Sequence, residues 1–247
     1  MKRFSAVAVI IFMMQGIFSE QLLSQRLQRD AVYDYSNAQQ FMQDVSGKPI
    51  YLKQEYNVEG SPFYPDEYLR ANIYLRYGKI YTGIYVKFNL QENLLLYKQA
   101  DGTEMSAATP IKRVIFTDTS DGWVLYNSIF ENGFPSIDNR NENTFYQVLD
   151  SGKIKLLKCH AVKFTDKKDY GQASITRVFD QSEFWYVYLP NGQIKKIEKG
   201  TEFFLSFFPD KKEEISKYIK TQKLKCRKES DWKKAIAYYN SLFSNSN

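Results

Sequence analysis

The sequence predicts an α+β protein: a mainly antiparallel β-region (a barrel, a sandwich or a rolled sheet of hairpins) followed by short C-terminal α-helices. Three observations support this prediction. Short β-prone runs separated by turn residues fill residues 50–200. One of them, residues 79–88, alternates aliphatic side chains with aromatic or polar ones, which is the period of two of a strand. Past residue 200, the apolar residues change to helical spacing.

The first 19 residues predict a cleaved export signal. Lys2 and Arg3 precede an apolar run over residues 4–14, and Gly16 and Ser19 break that run where cleavage regions lie. The run is too short to span about 30 Å of hydrocarbon comfortably. We therefore expect residues 1–19 to be removed and the product to be periplasmic or secreted. No later segment reaches transmembrane length, so no stable membrane span is expected after signal removal.

The middle of the chain reads as a series of hairpins. Residues 20–49 predict a polar segment, partly helical or mobile, which Gly47-Lys48-Pro49 ends. Within the β-region, residues 145–149 and 153–164 flank Asp150-Ser151-Gly152, and residues 183–189 and 193–198 flank Pro190-Asn191-Gly192. These turn residues supply the positive φ angles that tight hairpins require.

Residues 201–247 predict short helices packed on the β-region. A first helix covers residues 202–208. Asp210 and Glu213 then have the spacing of a capping box at the start of a second helix. In the last helix Trp232, Ile236 and Tyr239 form an apolar stripe. Amphipathic helices of this length are marginal alone, so we expect them to dock.

Composition excludes several protein classes. The hydrophobic content of 43% is high enough for a core, so the chain is not disordered as a whole. Lys+Arg 34 against Asp+Glu 28 is a mild excess, and acids interrupt or flank the basic runs, so no nucleic-acid partner is expected. One histidine and two cysteines exclude two-histidine mechanisms and four-thiolate zinc sites. We expect no metal and no cofactor.

The two cysteines, Cys159 and Cys226, leave two alternatives open. In an oxidising compartment they could form one disulfide, and a loop that long would stabilise the fold by roughly 4 kcal/mol. The other alternative is two separate buried thiols, since free cysteine packs as a small hydrophobic residue.

No catalytic motif stands out. His160 lies in a strand pattern, and a structural histidine is the favoured interpretation. Residues 118–122 and 138–143 resemble fragments of calcium loops but fail the full spacing, so both are interpreted as turns. Paired carboxylates would suit hydrolysis of a polymer, but the spacing singles out no pair. The acids considered are Glu55, Glu67, Asp118 and Glu183.

Aromatic residues supply the candidate binding site. Residues 184–188 place aromatic side chains on both faces of one strand. One face must meet the core, while the other either packs under the C-terminal helices or faces solvent. If exposed, Trp185, Tyr186 and Tyr188 would stack on sugar rings or contact a protein partner. The alternative is that tyrosine-rich strands simply suit β-sheets.

Two stretches carry a resemblance to a family. The first is Gly60-Ser61-Pro62-Phe63 with residues 75–83 and 86–90, and the second runs over residues 208–220 and 238–242. In these stretches the chain resembles a group of uncharacterised exported proteins of Gram-negative bacteria. The resemblance covers about residues 60–247 and implies export and a layout of β-strands followed by helices. It transfers no functional residue.

Taken together, these patterns favour a non-catalytic exported protein that binds an envelope protein or a glycan through its β-region. The alternative is a carboxylate-based hydrolase acting on an envelope polymer. The first predicts an exposed apolar or aromatic patch, whereas the second predicts two acids that converge in a concave pocket.

Overall fold

Hairpins joined by tight turns build one large sheet in this protein. A computed structural model describes residues 37, 39–45, 47–49, 57–99, 101–117, 128–168 and 174–244. The predicted export signal and two of the acids considered above, Glu55 and Asp118, lie outside these residues.

Twelve strands are present in the described ranges. They are β1 (Lys48–Pro49), β2 (Asn57–Glu59), β3 (Phe63–Leu75), β4 (Ile80–Asn89), β5 (Leu94–Lys98), β6 (Glu104–Ser106), β7 (Ile111–Phe116), β8 (Ile129–Glu131), β9 (Tyr146–Ser151), β10 (Lys155–Lys167), β11 (Thr176–Tyr188) and β12 (Ile194–Lys196). Their order is β1-β6-β5-β4-β3-β7-β8-β9-β10-β11-β12. Every pair is antiparallel except β2, which runs parallel beside β11. The sheet does not close.

Short helices complete the fold, which confirms the predicted fold class. They are α1 (residues 39–45), α2 (Thr201–Leu205), α3 (Lys212–Thr221) and α4 (Glu229–Ser244). The last helix packs against α3 and against strands β9 and β10. None of the helices in the described ranges combines the length and the apolar character needed to cross a bilayer.

Among the described residues, three clusters of buried side chains hold the sheet and helices together. The first joins β3–β8 to α1 through Phe41 and Val45. The second joins α2–α4 to the sheet, where it includes Leu156 and Val187. The third includes Leu157 and Tyr186. Because neighbouring strand residues point to opposite faces, the second and third clusters lie on opposite faces of β10 and β11.

Strand β10 ends at Lys167 rather than at the predicted Phe164, and strand β11 begins at Thr176 rather than at the predicted Glu183. They pair without interruption over thirteen residues each, from Lys155–Tyr188 to Lys167–Thr176. Strand β9 pairs with β10 only as far as Lys158, and β12 pairs with β11 only at residues 186–188. Beyond these points β10 and β11 continue as a two-stranded ribbon, to which β2 adds a third strand at residues 176–178.

Candidate functional site

The aromatic strand predicted to bind a ligand is used for packing on both faces. The Trp185 ring lies 5.4 Å from the Trp232 ring of α4, and its Nε1 donates a hydrogen bond to Glu229. Tyr186 is fully buried, and its hydroxyl donates to Asp138. Tyr188 is half-buried beside the Phe134 ring. Helix α4 covers one face of the strand, so the alternative of packing under the C-terminal helices is the one that the structure shows.

Both cysteines are free and buried in the structure. Cys159 belongs to the third cluster and Cys226 to the second, on opposite faces of the β10–β11 pair. The Sγ of Cys159 accepts a hydrogen bond of 3.0 Å from Nε of Arg140. Burial raises the pKa of both thiols, that of Cys226 to about 11. The structure therefore shows the alternative of two separate thiols.

His160 has the surroundings of a structural histidine. Its Nε2 lies 2.8 Å from Oε1 of Gln147, and its ring stacks on Tyr64 at 4.4 Å. Burial, with the nearby Lys158 ammonium, lowers the pKa of His160 to about 4. The imidazole is therefore neutral near pH 7. It packs on the Tyr64 ring and forms a hydrogen bond with the Gln147 amide.

Two carboxylates meet beside His160, but a lysine lies between them. The Lys158 Nζ is 2.7 Å from Oε2 of Glu229 and 3.3 Å from Oε1 of Glu183. Burial raises the pKa of Glu229, but the bonds from Lys158 and Trp185 outweigh it, and the net shift is downward. A glycosidase acid needs a raised pKa. Every carboxyl shift resolved in the described ranges is downward. This arrangement fits an ion-pair network better than an acid–base pair.

A cavity of about 330 Å³ lies at the ends of β3, β5 and β7. Its lining is Arg76, Asn93, Leu94, Leu95, Ala107, Ala108, Thr109, Pro110, Ile111, Asn132, Asn143 and Phe145. Nη2 of Arg76 donates to the Oδ1 atoms of Asn132 and Asn143 at 3.4 and 3.3 Å. Nδ2 of Asn93 donates to the main-chain oxygen of Asn143 at 2.9 Å. The lining therefore combines one guanidinium, three amides and an apolar wall.

Sequence reasoning missed this cavity because its residues come from five separated stretches of the chain. The signal that was available is the asparagine-rich loop over residues 138–143, the most polar loop of the chain. By its sequence alone, that loop indicates only a turn.

The free end of the β10–β11 ribbon carries apolar side chains that are exposed or, at Phe179, half-buried. Phe164 and Phe179 are directly opposite each other, with ring centroids 6.2 Å apart. Val58 of β2 is opposite Arg177, whose guanidinium lies 4.1 Å from the Phe164 ring. Paired strand residues share a face, so these side chains lie together.

Ile175 extends the same surface, because the Asn57 N–H donates to its carbonyl and continues the ladder. We call Val58, Phe164, Ile175 and Phe179 the ribbon face. Val58, Phe164 and Ile175 are 39%, 42% and 40% exposed. The opposite face of the ribbon carries mostly polar residues, including Lys163, Thr165 and Asp180.

Comparison with known proteins finds no matching family model, no matching curated protein and no matching solved structure. The resemblance to exported Gram-negative proteins therefore stays a prediction. Within the described ranges, no three His, Cys, Asp or Glu side chains are grouped so that they could hold a metal ion.

Proposed function

We propose that this protein is an exported, non-catalytic binding protein of the cell envelope, and that it holds a protein partner at the ribbon face. The observation that carries the proposal is the grouping of four apolar side chains on one face of a ribbon whose other face is mostly polar. Exposed apolar side chains that are grouped rather than scattered mark interaction sites in soluble proteins.

The ribbon's construction supports a binding role. Two-stranded hairpins are marginally stable in water. Here the register is regular to the last pair, and Nε and Nη2 of Arg177 bond both oxygens of Asp166 at 2.7 and 2.8 Å. This ion pair links β10 to β11 on the same face as exposed Phe164 and supports a fixed shape of that face. A pre-shaped surface loses less conformational freedom on binding.

Export supports the choice of an envelope partner. The positive residues Lys2 and Arg3 followed by an apolar run of signal length predict passage across the inner membrane. Mass spectrometry of natively produced protein tests this part. We expect a mature N-terminus near residue 20, and a chain that retains Met1 in the cytosol would contradict the proposal.

Size-exclusion chromatography of the mild-detergent envelope extract tests the partner. We expect the wild-type chain to elute in a complex larger than its own mass. The double variant Phe164→Ser and Ile175→Ser should elute as the free chain, because it removes apolar area from the ribbon face. The matched control is Lys163→Ser with Thr165→Ser on the opposite face, which should elute like wild type. Equal elution of both variants would refute the ribbon face as the contact.

A further inference from the structure

We infer that the cavity at the ends of β3, β5 and β7 binds a small organic carboxylate that also carries an amide, such as an N-acylated amino acid or the C-terminus of a peptide. This site shares no residue with the ribbon face and does not depend on a protein partner there. Its volume of about 330 Å³ lies at the lower end of the range for ligand pockets.

Arg76 identifies the charge of the ligand. A guanidinium has five N–H donors, and within the described residues only Nη2 of Arg76 is used, for two long bonds to amide oxygens. No carboxylate in those residues forms an ion pair with Arg76, and none of the twelve lining residues is acidic. The remaining donors on a planar fork match the two oxygens of a carboxylate.

The asparagines hold Arg76 in place and add an amide-binding group. Asn132 donates through Nδ2 to the main-chain oxygen of Ile111 at 2.8 Å, which fixes the Oδ1 that Arg76 contacts. Asn143 accepts from Arg76 through Oδ1, while its Nδ2 has no hydrogen-bond partner in the described residues. That free donor suits the carbonyl of a ligand amide.

The apolar wall indicates the body of the ligand. Phe145, Leu94 and Ile111 line the cavity beside the polar groups, and the Phe145 ring packs on Phe88 at 4.9 Å, which keeps it in position. Pockets that join an apolar wall to a few convergent polar groups bind organic molecules rather than bare inorganic ions. An aromatic or aliphatic side chain next to the carboxylate fits this wall.

Isothermal titration calorimetry with the full mature chain tests the inference. The probes are N-acetyl-L-phenylalanine and its uncharged amide, N-acetyl-L-phenylalaninamide. We expect saturable binding of the acid and at least tenfold weaker binding of the amide. Arg76→Gln should weaken binding of the acid about tenfold or more, and Ala108→Trp should do the same because it fills the cavity and leaves Arg76 unchanged.

Arg227→Gln is the matched control, since Arg227 is also exposed and lies outside the cavity. It should bind like wild type, and all three variants should unfold at the wild-type midpoint. A peptide ending in phenylalanine distinguishes the two ligand sources: tighter binding than the acetylated amino acid assigns a peptide C-terminus, and weaker binding assigns a free acid. Equal binding of acid and amide, an Arg76→Gln variant that binds like wild type, or no saturable binding at millimolar concentration would overturn the inference.

Discussion

At the scale of single residues, burial decides the chemistry of His160 and of the two thiols. His160 is the one histidine in the chain, and its side chain is only 9% exposed. Stacking on Tyr64 and bonding to Gln147 suit a neutral imidazole. The group that a sequence search would test first as a catalyst is therefore a packed structural residue.

The fold lowers the pKa of His160 from 6.5 to about 4. Between these two pH values, His160 therefore binds a proton in the unfolded chain but not in the folded chain. Stability should thus fall as the pH drops from about 6.5 to 4. From pH 7 to pH 5, protonation of His160 in the unfolded chain should lower the free energy of unfolding by about 2 kcal/mol. Urea unfolding at both pH values measures the loss.

The variant His160→Gln supplies the control, because its free energy of unfolding should be nearly the same at pH 7 and at pH 5. The single imidazole resonance in a proton NMR titration gives a direct check. A midpoint near 6.5 in the folded protein would show that His160 is not buried as described.

The thiols of Cys159 and Cys226 should remain reduced even under oxidising conditions, because they lie on opposite faces of β10 and β11. A reducing agent should then leave the thermal midpoint unchanged, and a thiol reagent should label two groups only after unfolding. A disulfide between them would instead lower the midpoint on reduction, by the equivalent of roughly 4 kcal/mol.

At the scale of elements, side chains far apart in sequence attach helix α4 to the sheet. Asn240 in α4 is buried, and its Nδ2 donates to Asp150 and to the Ile154 carbonyl. Its Oδ1 accepts from the Ile154 N–H. The approach is so close that a Cβ at Gly152 would lie 2.5 Å from Cγ of Asn240. One asparagine thereby connects the helix to the β9–β10 hairpin.

We therefore expect Asn240→Ala to lower the free energy of unfolding by about 2–3 kcal/mol, because it leaves buried polar groups of the hairpin without partners. The neighbouring Ser241→Ala is the control, since Ser241 is exposed and should change stability by less than about 0.5 kcal/mol. Urea denaturation of the three proteins measures the difference, and equal losses in both variants would contradict this attachment.

Elements with one buried face were predictable from the sequence, and elements without one were not. The alternating residues 79–88 predict a strand, and β4 forms there as Ile80–Asn89, one residue later at each end. Strand β11 was predicted to begin at Glu183 but begins at Thr176. The residues before Glu183 are exposed or half-buried on both faces, so they show no alternation for a pattern search to find.

Tertiary contacts also override local capping rules. Asp210 was predicted to cap the second C-terminal helix, but the N-cap is Lys211 and no side chain bonds there. The Asp210 carboxylate instead accepts hydrogen bonds from Lys153 and Tyr239. A partner 57 residues away in sequence is invisible to spacing rules. The cavity residues were missed for the same reason.

At the scale of the whole molecule, one sheet carries all three buried clusters. Helices α2–α4 share the second cluster with β10 and β11, so they belong to the same folding unit as the sheet. We expect tryptophan fluorescence, which reports the Trp185–Trp232 contact, and far-UV circular dichroism, which reports the sheet, to follow one coincident unfolding transition. Loss of the fluorescence signal at lower denaturant would show that the helices detach first.

The packing of the whole fold explains why the ribbon face is the candidate contact surface. Helix α4 packs on Trp185 of β11 and the third cluster encloses Tyr186, whereas the aromatic residues farther along the ribbon extend past both. Folding thus buries Tyr186 fully and Trp185 in part, and leaves Phe164 exposed. Binding a partner would bury the apolar area that folding leaves in water.

Site-specific photocrosslinking in the producing cell tests the ribbon face most directly. A photoreactive phenylalanine analogue is placed at Phe164 in one strain and at Lys163, on the opposite face, in another. The account predicts a discrete adduct with one envelope protein from position 164 and none from position 163. The absence of an adduct at 164, or the same adducts from both positions, would contradict it.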